Sequence, residues 1–154
     1  MNQESLGELL KARKYVCIQM TRSAVGHFQV QAEIDGYGVL LLVDTGASKT
    51  VIHDATAERM GIKIENSVDC GGGLGTSQAA VSTTVARVFR LGALELNEFP
   101  LFIMDFSHVI NGIGAKGGQA IDGVVGGDIL GAGSAIIDYE EAKLYLKSFR
   151  LPNT

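Results

Sequence analysis

The chain has 154 residues, one domain's worth, and at that length a core needs no disulfides. Apolar residues at 46% against 19% charged exclude a disordered chain, and 20 glycines against 2 prolines point to turns rather than a linker. A net charge of −4 with no run of Lys or Arg excludes a phosphate-neutralising nucleic-acid binder.

Cys17 and Cys70 are too few for a small secreted disulfide scaffold, and both are expected to be buried free thiols. The longest apolar run, Val39 to Val43, is far too short to span a membrane, so no membrane segment is expected. Met1 to Leu10 is polar and lacks a signal-peptide pattern, and the expected location is cytoplasmic.

Ser5 and Glu8 form a capping-box pattern around Leu6, Leu9 and Leu10, which predicts a helical segment within residues 1–14 that Gly7 weakens. Tyr15 to Ile18 is a short β-rich run. Phe28, Val30, Ala32 and Ile34 alternate with Gln29, Gln31 and Glu33, the period of a half-buried strand, and Asp35-Gly36 supplies a hairpin turn. Val39 to Val43 is apolar on both faces and reads as a central strand. A helix fits Asp54 to Met60, with Asp54 as cap and Gly61 as stop, and Ile62 and Ile64 resume strand alternation.

Cys70 to Gly75 is a glycine-rich loop. Ser77 to Arg90 and Ala93 to Asp105 read as two long strands joined at Leu91-Gly92, and Phe106 to Ala120 reads as irregular. A helix-like turn, Asp128 to Ala132, precedes strands Ala135 to Tyr139 and Lys143 to Lys147, with Glu140-Glu141 as the turn between them. Many short strands with glycine-rich turns predict an all-β barrel or sandwich rather than a βαβ fold.

Leu40-Leu41-Leu42-Val43-Asp44-Thr45-Gly46-Ala47-Ser48 places a carboxylate at the end of a buried apolar strand. Burying an ionised Asp is costly unless it is hydrogen-bonded. The backbone N–H groups of Gly46 and Ser48 and the Ser48 hydroxyl are at hand to do it. The bland reading of the same residues is a strand followed by an Asp-initiated turn. Downstream, Ile121-Asp122-Gly123-Val124-Val125-Gly126-Gly127-Asp128-Ile129-Leu130 sets two apolar residues and a glycine before a short helix.

Together the two segments resemble the retropepsin-like, single-lobe aspartic proteases, and the resemblance covers roughly residues 30–146. It implies a mainly β, closed barrel-like acid-protease lobe over residues 15–148, with one or two short helices and a tail at 149–154. It implies that Asp44 is the catalytic carboxylate and that Thr45 hydrogen-bonds across a dimer interface. Gly46 would let the backbone approach the carboxylates, with Ala47 beside it, and Ser48 would orient Asp44. Val124, Val125 and Gly126 would pack beneath the active-site loop. Gly71, Gly72, Gly73, Leu74 and Gly75 would form a flap over a bound peptide.

Aspartic proteolysis needs two carboxylates that share a proton, and this chain has one Asp-Thr-Gly. The expected assembly is a two-fold homodimer with one Asp44 from each copy, acting on a peptide or protein substrate. Two like charges about 3 Å apart repel by about 5 kcal/mol at an effective dielectric near 20, so the pair titrates in two steps and an acid to mildly acid optimum follows.

Gly112-Ile113-Gly114-Ala115-Lys116-Gly117 matches a dinucleotide-binding glycine pattern but lacks a βαβ context. His27, His53 and His108 are scattered and read as solvated or loop histidines, so neither a metal nor any other cofactor is expected. Cys70 reads as a structural thiol, Asp128 as a first-turn helix residue, and Asp122 and Asp138 as strand-end residues. Two functional readings remain: a homodimeric aspartic endopeptidase, and a catalytically silent module of the same fold that dimerises or binds peptide.

Overall fold

The computed structural model describes residues 3–64, 66–69 and 80–151. The elements are α1 (Leu6–Ala12), β1 (Tyr15–Gln19), β2 (Thr21–Arg22), β3 (Phe28–Ile34), β4 (Tyr37–Val43), β5 (Val51–His53), α2 (Asp54–Arg59), β6 (Asn66–Asp69), β7 (Ala80–Leu91), β8 (Leu94–Met104), α3 (Ser107–Ala115), β9 (Gly123–Val125), α4 (Gly127–Ala132), β10 (Ile136–Asp138) and β11 (Lys143–Lys147).

β3, β4, β9, β5, β8 and β7 are hydrogen-bonded in that order, and β7 returns to β3, with Glu33 opposite Arg90 and Ile34 opposite Phe89. The sheet therefore closes into a barrel. β2 extends it beyond β3 and β6 beyond β7, while β1, β11 and β10 form a separate three-stranded antiparallel sheet. Period-2 alternation fills the barrel. Val30, Ile34, Leu41, Ile52, Leu101 and Val125 face inward with Phe89 and Phe99, whose rings lie 5.3 Å apart.

The Asp35-Gly36 turn sets the register of β3 on β4. Ile34 stands opposite Tyr37, and the two turn residues have φ of +48° and +88°, the two positive angles of a type I′ hairpin. β4 runs antiparallel to β3 and parallel to β9. That central position explains its apolar character on both faces: Leu41 faces the barrel, and Leu40 faces outward yet is also buried.

The all-β class and the closed barrel agree with the sequence reading, and some elements differ. Residues 107–115, expected to be irregular, form α3, a third short helix of the 15–148 lobe beside α2 and α4 among the described residues. Gly112 and Gly114 lower its intrinsic propensity, but Val109, Ile110 and Ile113 gather on one face and pack with Leu40, Leu42 and Ile121. The N-cap of α2 is His53, with no side-chain cap; Asp54 is the first helical residue, and its carboxylate accepts from Ala55 N–H. Ile62 and Ile64 lie outside any strand, and strand structure resumes at Asn66. Cys17 is exposed rather than buried, because alternation on the edge strand β1 turns Ile18 inward and Cys17 outward. Cys70 lies outside the described residues.

Candidate active site

Asp44 directly follows β4 and keeps the strand's ladder, donating its N–H to Val125 O at 3.0 Å. Its side chain is half-buried, and Oδ1 accepts the Gly46 N–H at 2.9 Å. Ala47 N–H reaches back to Asp44 O, closing a tight turn over Asp44-Thr45-Gly46. The carboxylate is thus held from its own loop with a face left open. Thr45, Gly46 and Ser48 are exposed, and Ala47 is half-buried. Among the described residues the Ser48 hydroxyl makes no hydrogen bond to Asp44, so the Gly46 amide holds the carboxylate in place of the serine.

The loop is pinned to the second motif by a network that the sequence reading did not single out. Thr50, fully buried, donates its hydroxyl to Asp128 Oδ1 at 2.7 Å and accepts Gly126 N–H at 3.2 Å; its own N–H goes to Asp128 Oδ2 at 2.9 Å. The first two N–H groups of α4, at Gly127 and Asp128, donate to Ala47 O and Ser48 O. Helix N-termini carry unpaired donors, and here the loop after Asp44 accepts them. Gly126 has no room for a side chain, since a Cβ would strike the Lys49 and Ala47 carbonyls. Val124 and Val125 are buried beneath this junction, Val125 inside the barrel. A buried, doubly used hydroxyl of this kind contributes on the order of 1 kcal/mol per bond.

The outer face of β4 carries Leu40 and Leu42 and, continuing the alternation, Asp44. Val124 and Gln29 stand opposite Leu42 on the two flanking strands. Gln29 is 4% exposed, and among the described residues its Nε2 has no hydrogen-bond partner. An orphan buried donor of this sort costs about 1–3 kcal/mol. α3 covers part of this face through Ile113, Val109 and Ile110.

Asp122, read from the sequence as a strand-end residue, is a three-way tie. Its carboxylate accepts from Leu40 N–H on β4, from the Thr56 hydroxyl and from the Arg59 guanidinium on α2. Its carbonyl accepts from His53 N–H. His53 itself is neither solvated nor in a loop. It closes β5, its side chain is 12% exposed, and Nδ1 accepts the Phe106 N–H at 3.0 Å at the start of α3. Ligand-type atoms of His53, Asp54 and Asp105 lie within 4.8 Å of one another. The chain's own donors occupy much of that set, since Ser107 donates both its N–H and its hydroxyl to Asp105. These bonds from Ser107 hold the Asp105 carboxyl below the usual range, with smaller pulls from His53 and His108.

The structure thus joins the two motifs at Asp44 with Val125 and at Ala47 and Ser48 with the turn from Gly126 to Asp128. The expected flap, Gly71 to Gly75, lies outside the described residues. The glycine pattern at 112–117 falls inside and just after α3 instead of ahead of a helix. Thr50 carries one signal, a polar residue between an exposed loop and an apolar strand; Asp122 carries only its place at the start of an apolar, glycine-containing segment.

A family model for aspartyl proteases matches residues 30–129, and the chain belongs to that family. Its structure is similar to that of a retropepsin-like aspartic protease from Rickettsia conorii, with a TM-score of 0.59 and 17% identity over 89% of this chain and 93% of that one. It is also similar to the retroviral protease-like domain of Ddi1 from Leishmania major, with a TM-score of 0.54 and 20% identity over 81% of this chain and 94% of that one. At such identities the likeness concerns the fold, a retropepsin-like lobe. No curated protein matches the sequence. Among the described residues no helix is long and apolar enough to cross a membrane.

Proposed function

We propose that the protein is an aspartic endopeptidase that works as a homodimer, with the Asp44 carboxylates of two copies facing each other across the two-fold axis. One observation carries the reading. A lone Asp-Thr-Gly carboxylate is held half-open by the Gly46 amide, on a loop fixed at the end of the barrel by Thr50 and Asp128. The geometry resembles half of a site that needs two carboxylates.

In this mechanism the dyad shares one proton. The ionised Asp44 takes a proton from water as the water attacks the scissile carbonyl; the protonated Asp44 hydrogen-bonds the carbonyl oxygen and later gives a proton to the leaving amine. Exposed Thr45 is free to bond the facing loop, and Gly46 keeps the approach narrow. The substrate is a peptide or protein, and no cofactor enters the chemistry. The exposed thiol of Cys17 suits a reducing compartment such as the cytoplasm.

The test is digestion of a diverse peptide mixture by wild type and Asp44→Asn from acid to neutral pH, read by mass spectrometry, with the dimer measured in the same samples. Cleavage by wild type alone, strongest at mildly acid pH and lowered at least about a thousandfold in the variant, is expected. Cleavage by neither, from a stable dimer, supports the silent module instead.

A further inference from the structure

We propose that α3 is an acid-released cover on the outer face of the strand that carries Asp44, and that His53 is its latch. The tie between His53 Nδ1 and the Phe106 N–H, at 3.0 Å, requires the ring nitrogen to be an unprotonated acceptor. The same nitrogen lies 3.2 Å from Asp54 Oδ1. In the neutral ring these are two acceptors side by side with no proton between them. Protonation reverses both relations. Nδ1 can no longer accept from Phe106, and it becomes a donor to the adjacent carboxylate.

Acidic groups stand beside the ring. Asp54 on α2 faces it directly, and Asp105, after β8, lies in the same cluster. His108 on α3 lies near enough to Asp105 to exert a small pull on its carboxyl. Asp122 approaches His53 through its carbonyl, and its carboxylate is engaged by Thr56 and Arg59. Once protonated, Nδ1 has the Asp54 carboxylate beside it as an acceptor in place of the Phe106 amide it held before.

The cover is lightly held elsewhere. Its apolar contacts form a cluster separate from the barrel core, whose buried members among the described residues are Leu40, Ile113 and Ile121. On the face beside it, Gln29 holds a buried carboxamide whose Nε2 finds no partner among the described residues, and opening toward water gives it one. Movement of α3 bares Leu42, which adjoins Asp44 on that face. What this does for catalysis rests on the protease reading above; the latch itself does not.

The experiment is an NMR pH titration of the labelled full-length protein from about pH 8 to about pH 4.5, the range in which histidine charge changes. It follows the His53 ring, the Phe106 amide, and the hydrogen-exchange protection of residues 109–113. The ring and the Phe106 amide are expected to share one midpoint, and protection of 109–113 to fall at least about tenfold on the acid side. His53→Gln keeps an acceptor that cannot protonate, so its protection stays constant. Should that variant not fold, Asp54→Asn removes the carboxylate that accepts from the protonated nitrogen, and the acid-side loss of protection at 109–113 is expected to shrink.

A His53 ring that titrates while Phe106 and α3 stay unchanged overturns the proposal. So does a loss of protection that is the same in His53→Gln. Asp44→Asn retains the latch, so peptide cleavage and α3 exposure report separately on the catalytic reading and on this one.

Discussion

The two faces of β4 are built differently. The inner face places Val39, Leu41 and Val43 in the barrel core, where six strands surround them and Leu41 is fully buried. The outer face places Leu40 and Leu42 under a nine-residue helix, in a cluster with few members. Asp44 ends the strand on the outer side. One strand can thus hold a carboxylate rigidly at its end while its outer face stays lightly covered: barrel and loop network fix the backbone, and a lightly attached helix covers the neighbouring surface.

Truncation on each face measures that difference most directly. Leu41→Ala opens a cavity in a closed barrel with nothing to collapse into it, and a loss toward the upper end of about 2–5 kcal/mol is expected in denaturant unfolding. Ile113→Ala sits where a short helix can settle inward, so a loss near about 2 kcal/mol is expected. Both are to be measured at one protein concentration, because any self-association would add to apparent stability. Equal losses would break the comparison.

Thr50→Val tests the fixed end of the strand. It removes the hydroxyl that joins Asp128 to the Gly126 amide but keeps the Thr50 N–H bond to Asp128. Asp128 retains the Ile129 N–H, so mainly one buried amide is orphaned, and a loss of about 1–2 kcal/mol is expected. Under the protease reading, turnover falls by more than that loss explains, because the loop that aims Asp44 is no longer tied. Unchanged turnover at lowered stability would make Thr50 a purely structural residue.

The inner face was the legible one. Alternation in Phe28 to Ile34, the Asp35-Gly36 turn and the doubly apolar Val39 to Val43 each obey a local rule, and together they fix β3 against β4. The Asp44 loop was legible for the same reason, since Gly46 lies two residues from the carboxylate it holds. What escaped was set by distant contacts. Thr50 meets Asp128 across 78 residues of chain, and Asp122 meets Thr56 across 66. No local pattern encodes such pairs. α3 hid its apolar face among glycines, and β5, with three residues, is too short to show a period.

The smallest expected effect lies at the first turn of α3, where two ties should let go at different pH. The Ser107 amide and hydroxyl hold the Asp105 carboxyl below its ordinary range. A carboxyl depressed in the folded state binds its proton less readily there than when unfolded, so its stabilising contribution is present above the unfolded carboxylate value, about 3.9, and is lost as pH falls through the lower folded value. This tie therefore survives the mildly acid range in which a histidine acceptor is lost. Ser107→Ala removes the hydroxyl and leaves the amide, so the Asp105 carboxyl carbon, followed by NMR, should titrate at higher pH than in wild type. The exposed site keeps the accompanying loss of stability small. The Phe106 amide should keep its own midpoint in this variant. If that midpoint moves with Asp105, the two ties act as one, and the outer face of β4 opens in a single acid step instead of two.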